Sequence, residues 1–250
     1  MDSDISKLMS DTATNLTVHR SLTSRTYERL RNAIITARFK PGEKLRIDAL
    51  REEFDGSLGA VREALARLTS EELVVAEPQR GFAVALISRQ DLIDLTAARI
   101  VIENTCLEQA IRHGDLVWEG RVLSLSHQLS KLTKSASDPS RPDAAQWHIV
   151  HQQFHDQIAS ACPNTWWLKL RSQLFDQSER YRRLSGPLAE YKRDIDAEHC
   201  AIADAVLARD VDRAKSLLAS HLRTTSEILL ASKMPFSSDA LQNQPAKVSR

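Results

Sequence analysis

Residues 57–86 read SLGAVREALARLTSEELVVAEPQRGFAVAL, and the pattern of this stretch decides the fold of the first third of the chain. Ser57 is an N-cap residue type, because its hydroxyl can accept from a backbone N–H that the first helical turn leaves unpaired. Val61, Leu65 and Leu68 follow at helical spacing and predict an amphipathic helix. Leu73-Val74-Val75-Ala76 and Phe82-Ala83-Val84-Ala85-Leu86 flank Glu77-Pro78-Gln79-Arg80-Gly81, which predicts two short strands in a hairpin. Upstream, Leu22, Tyr27, Leu30, Ile34 and Ile35 give a first helix, broken by Phe39-Lys40-Pro41-Gly42. Ile47, Leu50 and Phe54 give a short second helix, followed by the turn Asp55-Gly56-Ser57. Helix, helix, turn, helix, hairpin is the order of a winged helix-turn-helix.

In that motif the third helix enters the major groove by its N-terminal turn, and the hairpin tip lies against the adjacent backbone or minor groove. The candidate DNA contacts are therefore Arg46, Ser57, Leu58, Gly59, Arg62, Arg80 and Gly81. Arg62 can reach a phosphate or clamp a guanine edge. The alternative for Arg62 and Arg67 is an ordinary helix ion pair with Glu63 or Glu71. Over residues 20–90 there are 13 Lys and Arg against 10 Asp and Glu, a small local positive excess.

From residue 89 to 234 the sequence is helical throughout. Apolar residues recur three and four apart near 89–112, 116–134, 143–161, 165–184, 188–208 and 211–232. Breaks fall at His113-Gly114, Ser135–Pro142, Pro163-Asn164, Ser185-Gly186-Pro187 and Arg209-Asp210. The expected fold is mainly α, with an N-terminal winged helix-turn-helix at 21–88 and an all-α bundle of six or seven helices at 89–234. Residues 1–20 and 235–250 lack apolar periodicity and are expected to be flexible tails.

The 250-residue composition bounds the function. There are 34 Lys and Arg against 33 Asp and Glu, which excludes a bulk polycation or an acidic solvating protein. Seven glycines are too few for a sandwich of many tight turns. Cys106, Cys162 and Cys200 form no CxxC pair, so neither a disulfide framework nor a thiolate zinc site is expected. The N-terminus has no signal-peptide pattern, and no apolar run reaches the roughly 18–20 residues of a membrane span. A cytoplasmic protein with no membrane contact is expected.

The helical region holds most of the eight histidines. His151 and His155, four apart, share one face of a helix. His199 lies 11 residues before Asp210 and His221 lies 11 after it. In an antiparallel hairpin turning at Arg209-Asp210, both sit at equal height, about 16 Å from the turn. Four imidazoles converging on one point favour Zn2+, Ni2+ or Cu2+ over Mg2+ or Ca2+, with zinc and nickel the leading candidates. His113, His127 and His148 fall near turns or off that face and are expected to be unrelated.

Pro41-Gly42-Glu43-Lys44-Leu45, Val61-Arg62-Glu63-Ala64-Leu65-Ala66-Arg67-Leu68, Glu72-Leu73-Val74 and Gln79-Arg80-Gly81-Phe82-Ala83-Val84 resemble the DNA-binding domain of GntR-family transcriptional regulators. Where that family often has Ser-Arg-Thr-Pro-Val-Arg-Glu, this chain has Ser57-Leu58-Gly59-Ala60-Val61-Arg62-Glu63. Residues 90–232 resemble the FCD ligand-sensing domain of the family's FadR-type branch. His151-Gln152-Gln153-Phe154-His155, Glu198-His199 and Ser220-His221 match its metal-binding pattern, with histidine at 151 where the family usually has aspartate. The resemblance implies a metal that holds the carboxylate of a small effector. Arg99, in an Arg-x-x-x-Glu match with Glu103, would complete the clamp, and Arg180 is a second effector-binding candidate. It further implies a homodimer on a palindromic operator, and a transcriptional repressor as the function.

Two other classes compete. A helical metalloenzyme could use the histidines to activate water, but Gln152 stands where an HExxH hydrolase needs its glutamate base, and no nucleophile elbow or phosphate loop is present. A constitutive DNA-binding architectural protein would lack a response to carboxylates. The regulator reading, non-enzymatic, stands ahead of both.

Overall fold

The computed structural model describes residues 22–136, 144–184 and 193–232, with 234, 236 and 237. The chain forms two compact units, Met1–Ile87 and Ser88–Arg250. The expected tails, apart from a few residues near 235, and the breaks at 137–142 and 185–187 lie outside the described residues.

In the first unit, helix α1 spans residues 22–35, and buries Tyr27, Leu30, Ala33, Ile34 and Ile35 along one face. It stops earlier than Pro41 requires. Ala37 takes a left-handed φ of 61°, while the Arg38 and Ala37 N–H groups donate back to the Ala33 and Ile34 carbonyls. That pair of bonds satisfies the carbonyls orphaned at a helix end. Helix α2 (Ile47–Phe54) ends on Asp55, φ 52°, and Gly56 leads into helix α3 (Leu58–Ser70). Ser57 caps α3 as expected, its Oγ accepting from Ala60 N at 3.1 Å. Ala60, Val61, Ala64, Leu65 and Leu68 form the buried face of α3 and close a core with Leu30, Ile34, Leu50 and Phe54.

The hairpin strands are β2 (Val74–Glu77) and β3 (Gly81–Val84), close to the expected runs. A third strand, β1 (Lys44–Leu45), pairs antiparallel with β3, opposing Leu45 to Phe82, so the sheet order is β1-β3-β2. Gly81, φ 93°, and Gln79, φ 62°, shape the hairpin tip.

The second unit is all α. Among the described residues its six helices are α4 (Arg89–His113), α5 (Leu116–Ala136), α6 (Ala144–Ala159), α7 (Thr165–Leu184), α8 (Ile195–Leu207) and α9 (Val211–Ala231). Side chains cap the starts: Ser88 on α4, Asp115 on α5, Asn164 on α7, Asp194 on α8 and Asp210 on α9. The Asp194 cap takes the Ala197 N–H, so α8 begins at Ile195 and not within the helix expected from 188; residues 188–192 lie outside the described residues. Helix α4 packs on α6, α7 and α9, while α5 packs on α6 and α8. Leu107, Val122, Leu129, Phe154, Ile202, Val206 and Leu218 fill the shared core.

Two arginines tie the ends of α4. Arg209, at the left-handed α8–α9 turn, donates to the Ile111 and Gly114 carbonyls at 2.6 and 2.7 Å. Arg89 donates to the Leu230 carbonyl at 2.7 Å. No helix among the described residues is long and apolar enough to cross a membrane.

Candidate functional site

On α3 the residues opposite the buried face are Leu58, Gly59, Arg62, Glu63, Ala66 and Arg67, all exposed. Arg62 makes no hydrogen bond or ion pair with any described residue. The alternative helix ion pairs are not formed: Arg67 lies 3.6 Å over the Tyr27 ring, and Glu71 is held by Tyr27 and by Arg31 at 3.0 Å. Arg46 is exposed at the start of α2, and Arg80 and Gly81 are exposed at the hairpin tip. Ser57 is half-buried with its hydroxyl committed to the cap.

In the helical unit, α6 contributes His151 and His155, α8 His199 and α9 His221. All four are buried, and one ligand nitrogen from each lies within 4.8 Å of the others. The hairpin argument accounts for part of this: the His199 and His221 rings are 4.7 Å apart across α8–α9. The i,i+4 pair on α6 stands at 4.6 Å and faces them, with His155 at 5.4 Å from His199 and 5.3 Å from His221.

The chemistry of these nitrogens is unusual for a protein interior. Nδ1 of His151 and both ring nitrogens of His155 and of His199 are buried without a hydrogen-bond partner. Buried polar atoms are almost always paired, because an unpaired one costs about 1–3 kcal/mol. Burial, reinforced by the neighbouring imidazoles, pushes the pKa of His151, His155 and His199 well below 6.5. Burial also lowers His221, against a raising hydrogen bond from Glu198. All four rings are thus neutral at pH 7, with lone pairs available, which is the state a transition metal requires.

A second layer orients the rings. Glu198 Oε2 stands 2.9 Å from His221 Nδ1, so that nitrogen carries the proton and Nε2 is left to ligate. Although burial raises it, hydrogen bonds from Arg193 and His221 hold the Glu198 carboxyl at about 2. Arg171 donates to the His155 carbonyl at 2.5 Å, to Asp156 at 2.7 Å and to Glu103 at 2.7 Å, which fixes the end of α6 against α4 and α7. The indole of Trp147 stacks on His151 at 4.7 Å and 25°.

The cluster borders a small, open cavity whose polar lining includes Arg99, Ser178, Glu179, Arg182, Arg193 and Thr225. Arg99 is buried, bonded to Glu103 at 3.2 Å and to Ser178 at 2.8 Å. Arg180 is buried on α7 but is not among the residues lining this cavity, whereas Arg182, about 200° further round the helix, is. Arg182 is bonded to Glu179 at 2.7 Å and to His148 at 2.8 Å. His148, expected to be unrelated to the cluster, thus abuts the cavity wall; burial, with Arg182 and Arg183, lowers its pKa to about 3. Sequence reasoning missed Trp147, Arg171, Arg182 and Arg193. Trp147 had a signal, since 147, 151 and 155 form one i,i+4 stripe.

Comparison with known proteins agrees with this architecture. Residues 22–84 match the gntR family of bacterial regulatory proteins, and residues 94–224 match the FCD domain. The chain is 38% identical to the HTH-type transcriptional regulator BphR of Paraburkholderia xenovorans, over 84% of this chain and 86% of that protein. It is 39% identical to the HTH-type transcriptional repressor GlaR of Escherichia coli, over 81% of this chain and 93% of that one. Among solved structures, E. coli McbR/YncC superposes with a TM-score of 0.71 at 20% identity, covering 84% of this chain and 97% of its own, and supports the fold. The relatives in sequence are transcriptional regulators, not enzymes.

Proposed function

The chain belongs to the GntR family of bacterial regulatory proteins and carries an FCD domain, and from that premise we propose that it is a repressor whose hold on DNA is set by a small carboxylate bound at a histidine-held metal. The sign of regulation is carried over from the E. coli relative GlaR, a repressor. One observation carries the sensing half: four buried imidazoles with five partnerless nitrogens beside a cavity lined by arginines. His151, His155, His199 and His221 would hold Zn2+ or Ni2+, consistent with an all-nitrogen donor set. When bound, the metal supplies a Lewis-acidic positive charge to which an effector oxygen can coordinate.

The rest is done by the chain itself. Arg99, pinned by Glu103 and Ser178, presents a guanidinium fork to the carboxylate, and Arg182 and Arg193 keep the cavity wall positive. In the first unit, Arg62 projects from α3 without an internal partner and would read a base edge or a phosphate. The start of α3, Ser57 to Gly59, would approach the groove, while Arg46, Arg80 and Gly81 would meet the flanking backbone. A homodimer on a palindromic operator places two such helices one DNA turn apart.

The test is binding of the purified full-length protein to the DNA flanking its own gene, across a salt series and with carboxylates added. Tight binding to one short palindrome, weakened by a carboxylate only when zinc or nickel is present, is the expected result. Binding that ignores sequence at every salt concentration would refute the regulator, and a carboxylate response that survives chelation would refute the metal's role.

A further inference from the structure

The first turn of α3 presents an apolar side chain at the end of the helix that leads into a DNA groove in this kind of motif. Val61, Leu65 and Leu68, the large apolar residues further along α3, are 0% exposed, whereas Leu58 is 42% exposed. Leu58 lies four residues before Arg62 and so stands one turn from it on the same side of the helix. The shoulder beside it is bare, because Gly59 has no side chain and a Cβ there would meet only the Ser57 Oγ, at 4.0 Å. Ser57 itself is half-buried, with its Oγ turned back to the Ala60 N–H, and Ala60 and Val61 face the core. Ahead of Arg62, then, Leu58 is the side chain of α3 that projects, and it can neither donate nor accept a hydrogen bond.

We propose that Leu58 is a specificity-determining residue that reads the C5-methyl group of a thymine in the major groove. The inference rests on the DNA-binding reading above and deepens it by naming a base. Guanine, adenine and cytosine present only donors and acceptors in that groove, and thymine alone of the four bases adds an apolar group. A leucine laid against any other base edge drives water from polar atoms and returns no hydrogen bond, which is costly. Against thymine it buries its own methyl groups on another. The same side chain therefore attracts one base and penalises the other three. Gly59 serves this contact, because a helix end without a side chain on its shoulder lets the backbone come close enough for a leucine to reach the base edge. Arg62, one turn further on and without an internal partner, supplies the polar contact that holds the helix in register.

The experiment selects sites for the full-length protein from a pool of random DNA duplexes. Each thymine of the selected site is then replaced in turn by deoxyuridine, which pairs identically and lacks only the methyl group. Fluorescence anisotropy at one fixed salt concentration gives the Kd for every duplex. For the wild type, removing the methyl from the contacted thymine is expected to weaken binding by about 4-fold, the worth of one buried methyl. Leu58→Ala is expected to bind the unmodified site less tightly and to bind the thymine and deoxyuridine duplexes equally, and circular dichroism checks that it retains its helices. A wild type indifferent to every deoxyuridine would overturn the inference while leaving the sequence-specific regulator standing. A deoxyuridine penalty of equal size in wild type and Leu58→Ala would show that another exposed side chain of α3, such as Ala66, touches the methyl, and would overturn the role of Leu58. A selection that enriches no sequence would refute the regulator reading, and this inference with it.

Discussion

Replacing His155 by leucine separates a metal ligand from a structural histidine. His155 is fully buried, and neither of its ring nitrogens has a partner. At about 1–3 kcal/mol for each unsatisfied atom, the ring costs the metal-free fold roughly 2–6 kcal/mol. Leucine removes both polar atoms. Its branched shape must be refitted among His151, His199, His221 and Phe175, which costs about 1–3 kcal/mol. The balance is a metal-free protein stabilised by about 1–3 kcal/mol, or a melting temperature higher by about 3–10 °C for a unit of this size. Zinc reverses the ranking. At about 1,000 times its Kd it adds roughly 4.1 kcal/mol to the wild type and almost nothing to the variant. Calorimetric melts of both proteins, in chelator and in zinc, measure all four states. A variant that loses more than about 2 kcal/mol in chelator would show that the imidazole is satisfied and structural, and so refute the reasoning.

Three further outcomes are expected. Arg62→Ala should weaken operator binding by about 1–3 kcal/mol in a fluorescence-anisotropy titration, and an unchanged Kd would remove Arg62 from the interface. His151, His155 and His199 have folded pKa values pushed below the unfolded value of 6.5. Their contribution is therefore complete above pH 6.5 and is lost as pH falls below it, by about 3 kcal/mol between pH 6.5 and 5.5 for the three. Chemical denaturation of the metal-free protein at those two pH values checks this, and equal midpoints would mean that the rings are protonated in the fold. Glu103→Gln strips the carboxylate from between two buried guanidiniums, Arg99 and Arg171. It should cost about 3–5 kcal/mol in urea unfolding, and a loss below 1 kcal/mol would show the pair to be solvated.

How far the molecule could be read beforehand follows from which forces are local. The Ser57 cap, the apolar stripes of α3 and the α8–α9 hairpin depend on neighbours within a few residues, and each was legible. His199 and His221 could be paired because a tight turn converts sequence distance into height. Strand β1 was not legible: two residues carry no alternation, and they become a strand only because β3 offers a free edge. The choice among the arginines at 180, 182 and 183 depends on how α7 is rotated about its axis, which packing against α4 decides. Arg193 escaped notice because it precedes α8 and reaches back to the His221 carbonyl on α9, a contact without periodicity. Arg171 likewise serves three partners that lie 15 to 68 residues away in the chain.

Were α4 to move as a rigid rod, the Arg209 tie would make it a lever. Its C-terminal end is fastened at the Ile111 and Gly114 carbonyls, so that end is the fulcrum. Arg99 lies 14 residues from His113 and Arg89 lies 24, or about 21 and 36 Å along the axis. A swing that moves Arg99 by about 1 Å toward a carboxylate would move Arg89 by about 1.7 Å. Arg89 is bonded to the end of α9, so α9 would be carried along in the same stroke. The gain is mechanical and fixed by residue count. Lengthening or shortening α4 between Arg89 and Arg99 by one helical turn would change the stroke without touching a single ligand atom.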